Sequence, residues 1–343
     1  MKVLKKELVE KRFSLLDESK KLFESRFYDA FFVNEYGRLE AVRSERYGMP
    51  FSIIIMHVDS FNSAAGPLTK KDLLDFLKKL VNTVLKVVRN CDVTGMLEDK
   101  RIIVILPHTD YFGSLITIKK LKKGLEFLTT KGEPYASIIF AQATYPRDGK
   151  TYTEMVRVAT SRIGDIKNSL WERLSLGDKL FWEIVATLTS GSHSEHEYVN
   201  FEMGEGMPLG EGFINRINQM ILHEIRKNPK RRGILYMGIK SIAKDTPLRD
   251  TLNMLGKTAT KIFLVGEKKE PGFDIKNVTT IALNDSRLSE AYITLFMSED
   301  SAYGLLCREG WQGVYSCFHT SDPYLVEGLI TRFQRDYELQ ETF

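Results

Sequence analysis

Cysteine is scarce in this sequence. The chain of 343 residues contains three cysteines, Cys91, Cys307 and Cys317, and no two of them form a Cys-x-x-Cys pair. An odd number at these spacings supports neither a disulfide framework nor a zinc knuckle. We therefore expect three small, buried, apolar thiols in the reducing environment of a cytoplasm.

Long apolar runs and a strong charge imbalance are also missing. No stretch reaches the roughly 18 apolar residues that a membrane-spanning helix requires, and the start, MKVLKKELVEKRF, is charged every few residues, unlike a signal peptide. The net charge of +4 is too small to indicate nucleic acid by bulk electrostatics. We expect a cytoplasmic protein with no membrane or nucleic-acid partner. We also expect no cofactor.

Residues 1–27 have the composition of a charged amphipathic helix. The apolar side chains of its stripe are Leu4, Leu8, Leu15, Leu16, Leu22 and Phe23. Lys11 and Glu18 interrupt the heptad positions, so a long coiled coil is not expected. The helix packs either on its own domain or on a second copy of the chain, which would make the protein a homodimer.

Residues 51–170 alternate strand and helix patterns. The β-branched run from Phe51 to Asp59 predicts a strand covered on both faces, and residues 68–88 have the apolar period of a helix. The other predicted elements are a hairpin of strands 93–96 and 101–106, a strand at 136–143, and helices at 113–128 and 153–170. This order predicts an α/β sandwich, with a central sheet flanked by helices, over residues 28–175.

The polar segment Thr189-Ser-Gly-Ser-His-Ser-Glu-His-Glu has no apolar period and is typical of a linker. We assign residues 176–204 to a helix and this linker; His193 and His196 have no carboxylate at metal-ligand spacing there. The second domain, residues 205–343, is predicted to be α/β or α+β. Its predicted helices are 213–225, 247–255 and 324–337, and its strands are 233–239, 261–266, 278–283, 292–297 and 303–307.

Several short motifs follow one another in the first domain. They are Tyr28-Asp29, Val58-Asp59-Ser60-Phe61, Arg89-x-x-Asp92, the hairpin closed by Pro107, and Tyr145-Pro146-Arg147-Asp148-Gly149. In this order they resemble the GGDEF family, the diguanylate cyclases that join two GTP molecules into cyclic di-GMP. The resemblance covers roughly residues 25–170 and implies a nucleotide-cyclase-like α/β sandwich.

The catalytic positions depart from that family. Its strand motif is Asp-x-Asp-x-Phe, in which the first Asp helps to hold a divalent cation, whereas this chain has His57 there. Counting back from Pro107, the five positions of the signature loop are Glu98, Asp99, Lys100, Arg101 and Ile102. Side chains block the phosphate approach that glycine allows, and basic residues repel the cation. A shifted register would supply Glu98 and Asp99 as an acidic pair, but not the glycines. The resemblance therefore implies an inactive domain, not an enzyme, with no metal site.

Arg89-Asn90-Cys91-Asp92 lies five residues before Glu98, which is the family's spacing for the RxxD inhibitory site. An arginine fork can pair with acceptors on guanine or phosphate, and a carboxylate accepts from guanine N–H groups. The resemblance implies that Arg89 and Asp92 bind cyclic di-GMP, with Lys119 and Lys120 as added phosphate contacts. The alternatives are an ion pair that only caps a helix end and a solvated lysine face.

Three other candidates have simpler explanations. Asp72 falls near the position where the family contacts the guanine of GTP, but an exposed helix residue is the alternative. The basic run at residues 227–232 is typical of a solvated helix end. Cys317-Phe-His319 lacks the third group that would orient a nucleophile, so we interpret it as structural.

The second domain has its own resemblance. Its motifs are Ile262–Gly266, Glu290-Ala-Tyr292, Arg308-Glu309, Gly313-Val-Tyr315 and Ser321-Asp-Pro323. They resemble DICT-type sensory domains, which accompany GGDEF modules in bacterial signalling proteins, and imply a protein partner for this domain. Together, the two resemblances imply a cyclic di-GMP receptor or effector. A ligand-independent interaction scaffold is the alternative, and residual GTP binding or turnover is a third.

Overall fold

The computed structural model describes residues 26–62, 69–97, 101–129, 135–190, 211–244, 246, 248–309 and 315–339. The chain forms two compact units, Met1–Asn168 and Ser169–Phe343. Residues 1–25, most of the predicted N-terminal helix, lie outside the described residues. So does the predicted linker from residue 191 onward, with His193 and His196.

The first unit is a five-stranded sheet with helices on both faces, which confirms the predicted α/β sandwich. Its strands are β1 (Phe27–Tyr28), β2 (Ser52–Asn62), β3 (Val93–Met96), β4 (Ile102–Leu106) and β5 (Tyr135–Thr144). Its helices are α1 (Ala30–Tyr47), α2 (Lys70–Val87), α3 (Tyr111–Gly124), α4 (Glu126–Thr129) and α5 (Tyr152–Lys167). The sheet order is β1-β3-β4-β2-β5; β1 is parallel to β3, and the other neighbours are antiparallel.

Strand β2 is the centre of the hydrophobic core. Ile53, Ile54 and Ile55 are fully buried because helices cover both faces of this strand. Ile53 and Ile55 pack in the core beneath α1 and α5. Ile54 points to the opposite face, where α2 and α3 pack against each other and α3 contacts β2.

The apolar pattern does not predict helix α1. Its buried positions include Gly37, Glu40 and Ser44, so it has no continuous apolar stripe. Asp29 caps the helix by accepting from the backbone N–H of Phe32 at 2.9 Å. Phe27, predicted to lie in the N-terminal helix, belongs to β1, so the prediction is wrong at that residue.

The second unit is built on a six-stranded mixed sheet, in agreement with a second α/β domain. Its strands are β6 (Gly233–Ile242), β7 (Thr260–Lys269), β8 (Thr279–Ala282), β9 (Ala291–Ser298), β10 (Ala302–Glu309) and β11 (Tyr315–Thr320), in the order β11-β10-β9-β6-β7-β8. Its helices are α6 (Leu170–Arg173), α7 (Phe181–Thr189), α8 (Glu211–Lys227), α9 (Arg249–Asn253) and α10 (Pro323–Asp336). Leu222 of α8 packs with Leu235 on one face, and Phe333 of α10 packs with Tyr236 on the other.

The segment after Asn168 packs on helix α10. A Cβ at Gly328 would lie 2.5 Å from a ring carbon of Trp171, which shows how closely α6 approaches α10. The ring of Phe181 lies 4.9 Å from that of Phe333, and its backbone N–H donates to Asp336 at 2.6 Å. These contacts belong to the second unit, so the first unit ends at Asn168 and not at the predicted residue 175.

Two of the cysteines are paired. Cys307 and Cys317 oppose each other across β10 and β11 and form a disulfide, while Cys91 is exposed. The expectation of three buried thiols is therefore wrong. The sequence does not show the antiparallel register that brings Cys307 and Cys317 together, and the pattern also leaves β11 unpredicted.

Candidate functional site

The residues Arg89-Asn90-Cys91-Asp92, here called the RxxD turn, join helix α2 to strand β3. The backbone N–H of Asp92 donates to the carbonyl of Arg89 at 3.0 Å and closes the turn. The guanidinium of Arg26, next to β1, donates to the same carbonyl at 3.0 Å. The turn is therefore closed by its own backbone and is also held by Arg26, the residue that precedes β1.

The carboxylate of Asp92 is occupied within the turn. The Asp92 side chain is only 2% exposed. It accepts from the backbone N–H of Arg89 at 2.7 Å and from the Arg89 guanidinium at 3.2 and 3.4 Å. In this geometry Asp92 holds the turn through Arg89. Direct binding of a guanine by Asp92 stays a prediction.

Arg89, in contrast, presents part of its guanidinium to solvent. Its side chain is 55% exposed. The NH2 group donates to the hydroxyl of Thr109 at 2.6 Å and to the carbonyl of Pro107 at 3.4 Å. The NH1 group forms no hydrogen bond with any residue in the described part of the chain. Asp92 and Thr109 thus orient a guanidinium that retains an outward-facing donor group.

A series of polar contacts continues from the RxxD turn across the end of the sheet. The carbonyl of Thr109 accepts from the hydroxyl of Ser52 at 2.9 Å, and the hydroxyls of Ser52 and Thr144 are 2.8 Å apart. The backbone N–H of Thr144 donates to Asp148, which also forms a two-point ion pair with Arg162 of α5 at 2.6 and 3.0 Å. Since most of these groups are buried, they connect the turn to α5 as a rigid frame.

Tyr36 of α1 lies near the turn, and the sequence does not point to it. Burial raises the pKa of its phenol, and the negative charges of Glu40 and Asp92 add to this effect. The predicted phosphate contacts lie on α3, where Lys119 is half-buried and Lys120 is exposed. Their participation in a ligand site stays a prediction.

His57 and Asp59, two positions of the predicted active-site motif, form a second cluster on β2. His57 Nε2 lies 3.9 Å from Asp59 Oδ1, and both side chains are partly exposed. Lys167, the last residue of α5, forms an ion pair with Asp59. The carboxylate retained in the strand motif is thus neutralised by a lysine that sequence reasoning does not identify, because Lys167 lies more than 100 positions away.

The hairpin that would carry the signature loop is present. Met96 pairs with Ile102, and the N–H of Leu97 donates to the carbonyl of Arg101 at 2.8 Å. Arg101 is half-buried at the start of β4, whereas Glu98, Asp99 and Lys100 lie outside the described residues. Within the described ranges, no group of three His, Cys, Asp or Glu side chains is arranged to hold a metal ion.

The weaker sequence candidates have structural roles. Asp72 caps helix α2: it accepts from the hydroxyl and the N–H of Thr69 at 2.6 and 3.0 Å, and these bonds lower its pKa. In the basic run after α8, Arg231 pairs with Glu224 at 3.2 Å. Cys317 is in the disulfide, so its thiol is not available as a nucleophile.

No helix within the described ranges is both long enough and apolar enough to cross a membrane. No protein-family model matches the chain, and no curated protein matches it. Among solved structures, the chain is similar to the diguanylate cyclase SiaD of Pseudomonas aeruginosa, solved with its activator SiaC, at 18% identity and a TM-score of 0.37 over 48% of this chain and 65% of that chain.

Two further solved structures are similar to part of the chain. The GGDEF domain of DgcB from Caulobacter crescentus, solved in complex with c-di-GMP, has 10% identity and a TM-score of 0.35, covering 41% of this chain and 84% of that chain. An active GGEEF domain of a diguanylate cyclase from Vibrio cholerae has 13% identity and a TM-score of 0.35, covering 41% of this chain and 90% of that chain. Each of these alignments covers less than half of the chain.

Proposed function

We propose that the first unit is a catalytically inactive, cyclase-like domain that receives cyclic di-GMP at the RxxD turn. Occupancy of the turn is relayed to the second unit or to a protein partner, so the chain acts as an effector in bacterial signalling. The proposal has two parts, the absence of catalysis and the binding of the dinucleotide, and each part has its own support and test.

The ion pair between Asp59 and Lys167 is the observation that carries the first part. A divalent cation needs carboxylates whose charge is not already compensated. Here the neighbouring position is His57, and the remaining carboxylate is paired with an ammonium group. The repulsion between Lys167 and a bound cation adds to the effect of the basic residues in the hairpin sequence, Lys100 and Arg101.

Arg89 supports the second part. Its exposed guanidinium is a donor for a phosphate oxygen or for the acceptors of a guanine edge. Asp92 is then a positioning residue that fixes Arg89, which differs from the direct contact expected from the motif. A direct role for Asp92 would require the carboxylate to give up its contacts with the backbone N–H and the guanidinium of Arg89.

Calorimetric titration of the full chain with cyclic di-GMP tests the binding. We expect micromolar or tighter affinity for the wild type and a loss of binding in Arg89→Ala. Arg46→Ala, which removes an exposed arginine at the end of α1, is the matched control and should bind as the wild type does. If the wild type releases no heat at ligand concentrations of about 100 μM, the effector proposal fails, since signalling requires affinities near or below the micromolar range.

Cys91 provides a second measurement within the turn. Its thiol is exposed, so bound dinucleotide should slow its alkylation by N-ethylmaleimide. A Cys91→Ser variant identifies any labelling at other positions. Unchanged labelling rates at saturating ligand would place the binding elsewhere on the protein.

Incubation of the full chain with GTP and Mg²⁺ tests the catalytic part. We expect no linear or cyclic dinucleotide by liquid chromatography and mass spectrometry. Formation of either product by the wild type would overturn the claim of inactivity, whatever the result for cyclic di-GMP binding.

An interaction scaffold that needs no ligand is the second candidate function. It is favoured by apolar side chains that α1 leaves exposed, among them Phe31 at 78%, Val42 at 61% and Leu39 at 48%. A protein that fails to bind cyclic di-GMP but self-associates in sedimentation experiments, with the association lost in Phe31→Ser/Val42→Ser, would select this function over the effector.

A further inference from the structure

The positive charge of the protein is concentrated on one group of helices. Helices α2, α3 and α4 contain nine lysines and three carboxylates, a net charge of +6, whereas the whole chain has a net charge of +4. The remaining residues are therefore acidic on balance. The modest bulk charge conceals a strongly basic region on one face of the first unit.

Five exposed lysines on α2 and α3 form what we call the lysine surface: Lys79, Lys86, Lys120, Lys122 and Lys123. None of them forms an ion pair with another residue in the part of the chain that the structure describes. The Lys122 ammonium lies 6.0 Å from the centre of the Phe140 ring. This contact leaves its charge available to an external anionic partner, and the charges of the other four lysines are available as well.

The two helices meet at their C-terminal ends. A Cβ added to Gly124 would lie 3.2 Å from Val87 and 3.3 Å from Thr83, so α3 touches α2 at this point. Lys123 and Lys86 directly precede two of these contacting residues. The lysines of both helices therefore belong to one continuous basic surface.

An exposed aromatic side chain borders this surface. Phe127 of α4 follows Lys123 by four residues and is 44% exposed. A basic surface with an aromatic ring at its edge combines electrostatic attraction to anionic lipid headgroups with insertion of an apolar group at the interface.

We propose that the lysine surface docks the first unit on an anionic phospholipid bilayer, with α2 and α3 along the membrane plane and Phe127 among the headgroups. The basic residues of these helices are all lysines, which act as point charges and lack the planar fork that arginine uses for bidentate recognition of defined partners. Two helices lying side by side form a broad surface and not a groove, which suits a planar partner. This departs from the expectation of no membrane partner, which rested on bulk charge and on the absence of a spanning segment.

Co-sedimentation of the full chain with lipid vesicles tests the proposal. We expect binding to phosphatidylcholine vesicles that contain phosphatidylglycerol, little binding to phosphatidylcholine alone, and release at raised salt. Each lysine near an anionic surface contributes about fivefold to binding. The variant Lys86→Gln/Lys120→Gln/Lys123→Gln should therefore bind about a hundredfold more weakly.

The matched control removes the same charge from exposed positions of the second unit, in Lys257→Gln/Lys261→Gln/Lys276→Gln. This variant should bind vesicles as the wild type does, and Phe127→Ser should leave binding more sensitive to salt. Circular dichroism verifies that each variant is folded.

Two results would overturn the membrane proposal. One is equal binding of the lysine-surface variant and its control to anionic vesicles. The other is absence of vesicle binding by the wild type. If the wild type binds a soluble polyanion such as heparin through these lysines but does not bind vesicles, the surface belongs to an acidic macromolecule and the membrane proposal fails.

Discussion

Replacing Gly37 by alanine tests the packing between α1 and α5. A Cβ at this position would lie 2.3 Å from Cε2 and 2.4 Å from Cδ2 of Tyr152. The ring has little room to move, because Tyr152 is only 4% exposed in the core of the first unit. Its backbone is also fixed at the start of α5 by the capping box of Thr151 and Glu154.

Two opposing effects set the magnitude. Overpacking of this severity costs about 3 kcal/mol, and alanine is about 1 kcal/mol more favourable than glycine inside a helix. We expect Gly37→Ala to lower the free energy of unfolding of the first unit by about 2 kcal/mol. For a unit of this size, Tm should fall by about 4–8 °C.

Two matched variants should show the opposite sign. Gly164 is exposed on α5, and a Cβ there would have no heavy atom within 4 Å. Gly164→Ala should therefore stabilise the unit by about 1 kcal/mol. When Tyr152→Ala has removed the clashing ring, Gly37→Ala should be stabilising by a similar amount.

Thermal unfolding followed with two optical probes distinguishes the unfolding transitions of the two units. Far-UV circular dichroism follows both units. Tryptophan fluorescence reports on the second, since Trp171, Trp182 and Trp311 all lie within residues 169–343. We expect the circular dichroism transition to shift and the fluorescence transition to stay. A Gly37→Ala protein at least as stable as the wild type would refute the packing argument.

Three further predictions concern other contacts. Hydrogen bonds from Arg287 lower the pKa of Asp285 in the folded protein. The Asp285 carboxylate therefore stabilises the fold above its ordinary pKa of about 3.9, and this stabilisation is lost as the pH falls through the lower folded pKa. In urea titrations, the unfolding midpoint of Asp285→Asn should lie below that of the wild type at neutral pH, and the difference between the two midpoints should narrow in acid. Reduction of the Cys307–Cys317 disulfide by dithiothreitol should destabilise the second unit by about 3 kcal/mol, the loop-closure value for a crosslink of this span. Dithiothreitol should not change the stability of Cys307→Ser/Cys317→Ser, and equal Tm values for the oxidised and reduced wild type would contradict the prediction. Asp92→Ala should lower the stability of the first unit by about 1–3 kcal/mol, because the Arg89 N–H loses its acceptor; urea titration should show a smaller loss for Arg89→Ala.

Elements with a strong apolar period were the ones that the sequence predicted. The isoleucine run of β2 is sufficient to predict a strand, and the apolar stripe of α2 is sufficient to predict a helix. In each case only one type of secondary structure would bury those side chains together. Helix α1 lacks such a signal, since three of its buried positions are Gly37, Glu40 and Ser44. Its inward face is small and polar so that α5 can approach closely, and composition alone does not distinguish such a face from a loop.

The candidate site shows a different limit. Motif spacing located the RxxD turn, but it did not show which of its two charged side chains is exposed. Asp92 is buried in a turn that Arg26 and Thr109 hold through Arg89. The partners Thr109 and Lys167 come from distant segments whose register is set only by the packed sheet and helices. Sequence reasoning therefore identified the turn as a candidate but not the contacts that its side chains make.

Strand β1 has a mechanical consequence for the RxxD turn. Its residue Tyr28 lies against Gly95 of β3, where a Cβ would be 2.4 Å from the Tyr28 carbonyl oxygen, and Arg26 holds the carbonyl of Arg89. Arg26 and β1 are thus held directly at the candidate ligand turn. A shift of β1 along β3 would move the carbonyl of Arg89 through the Arg26 hydrogen bond, so the position of β1 and the shape of the turn are mechanically coupled.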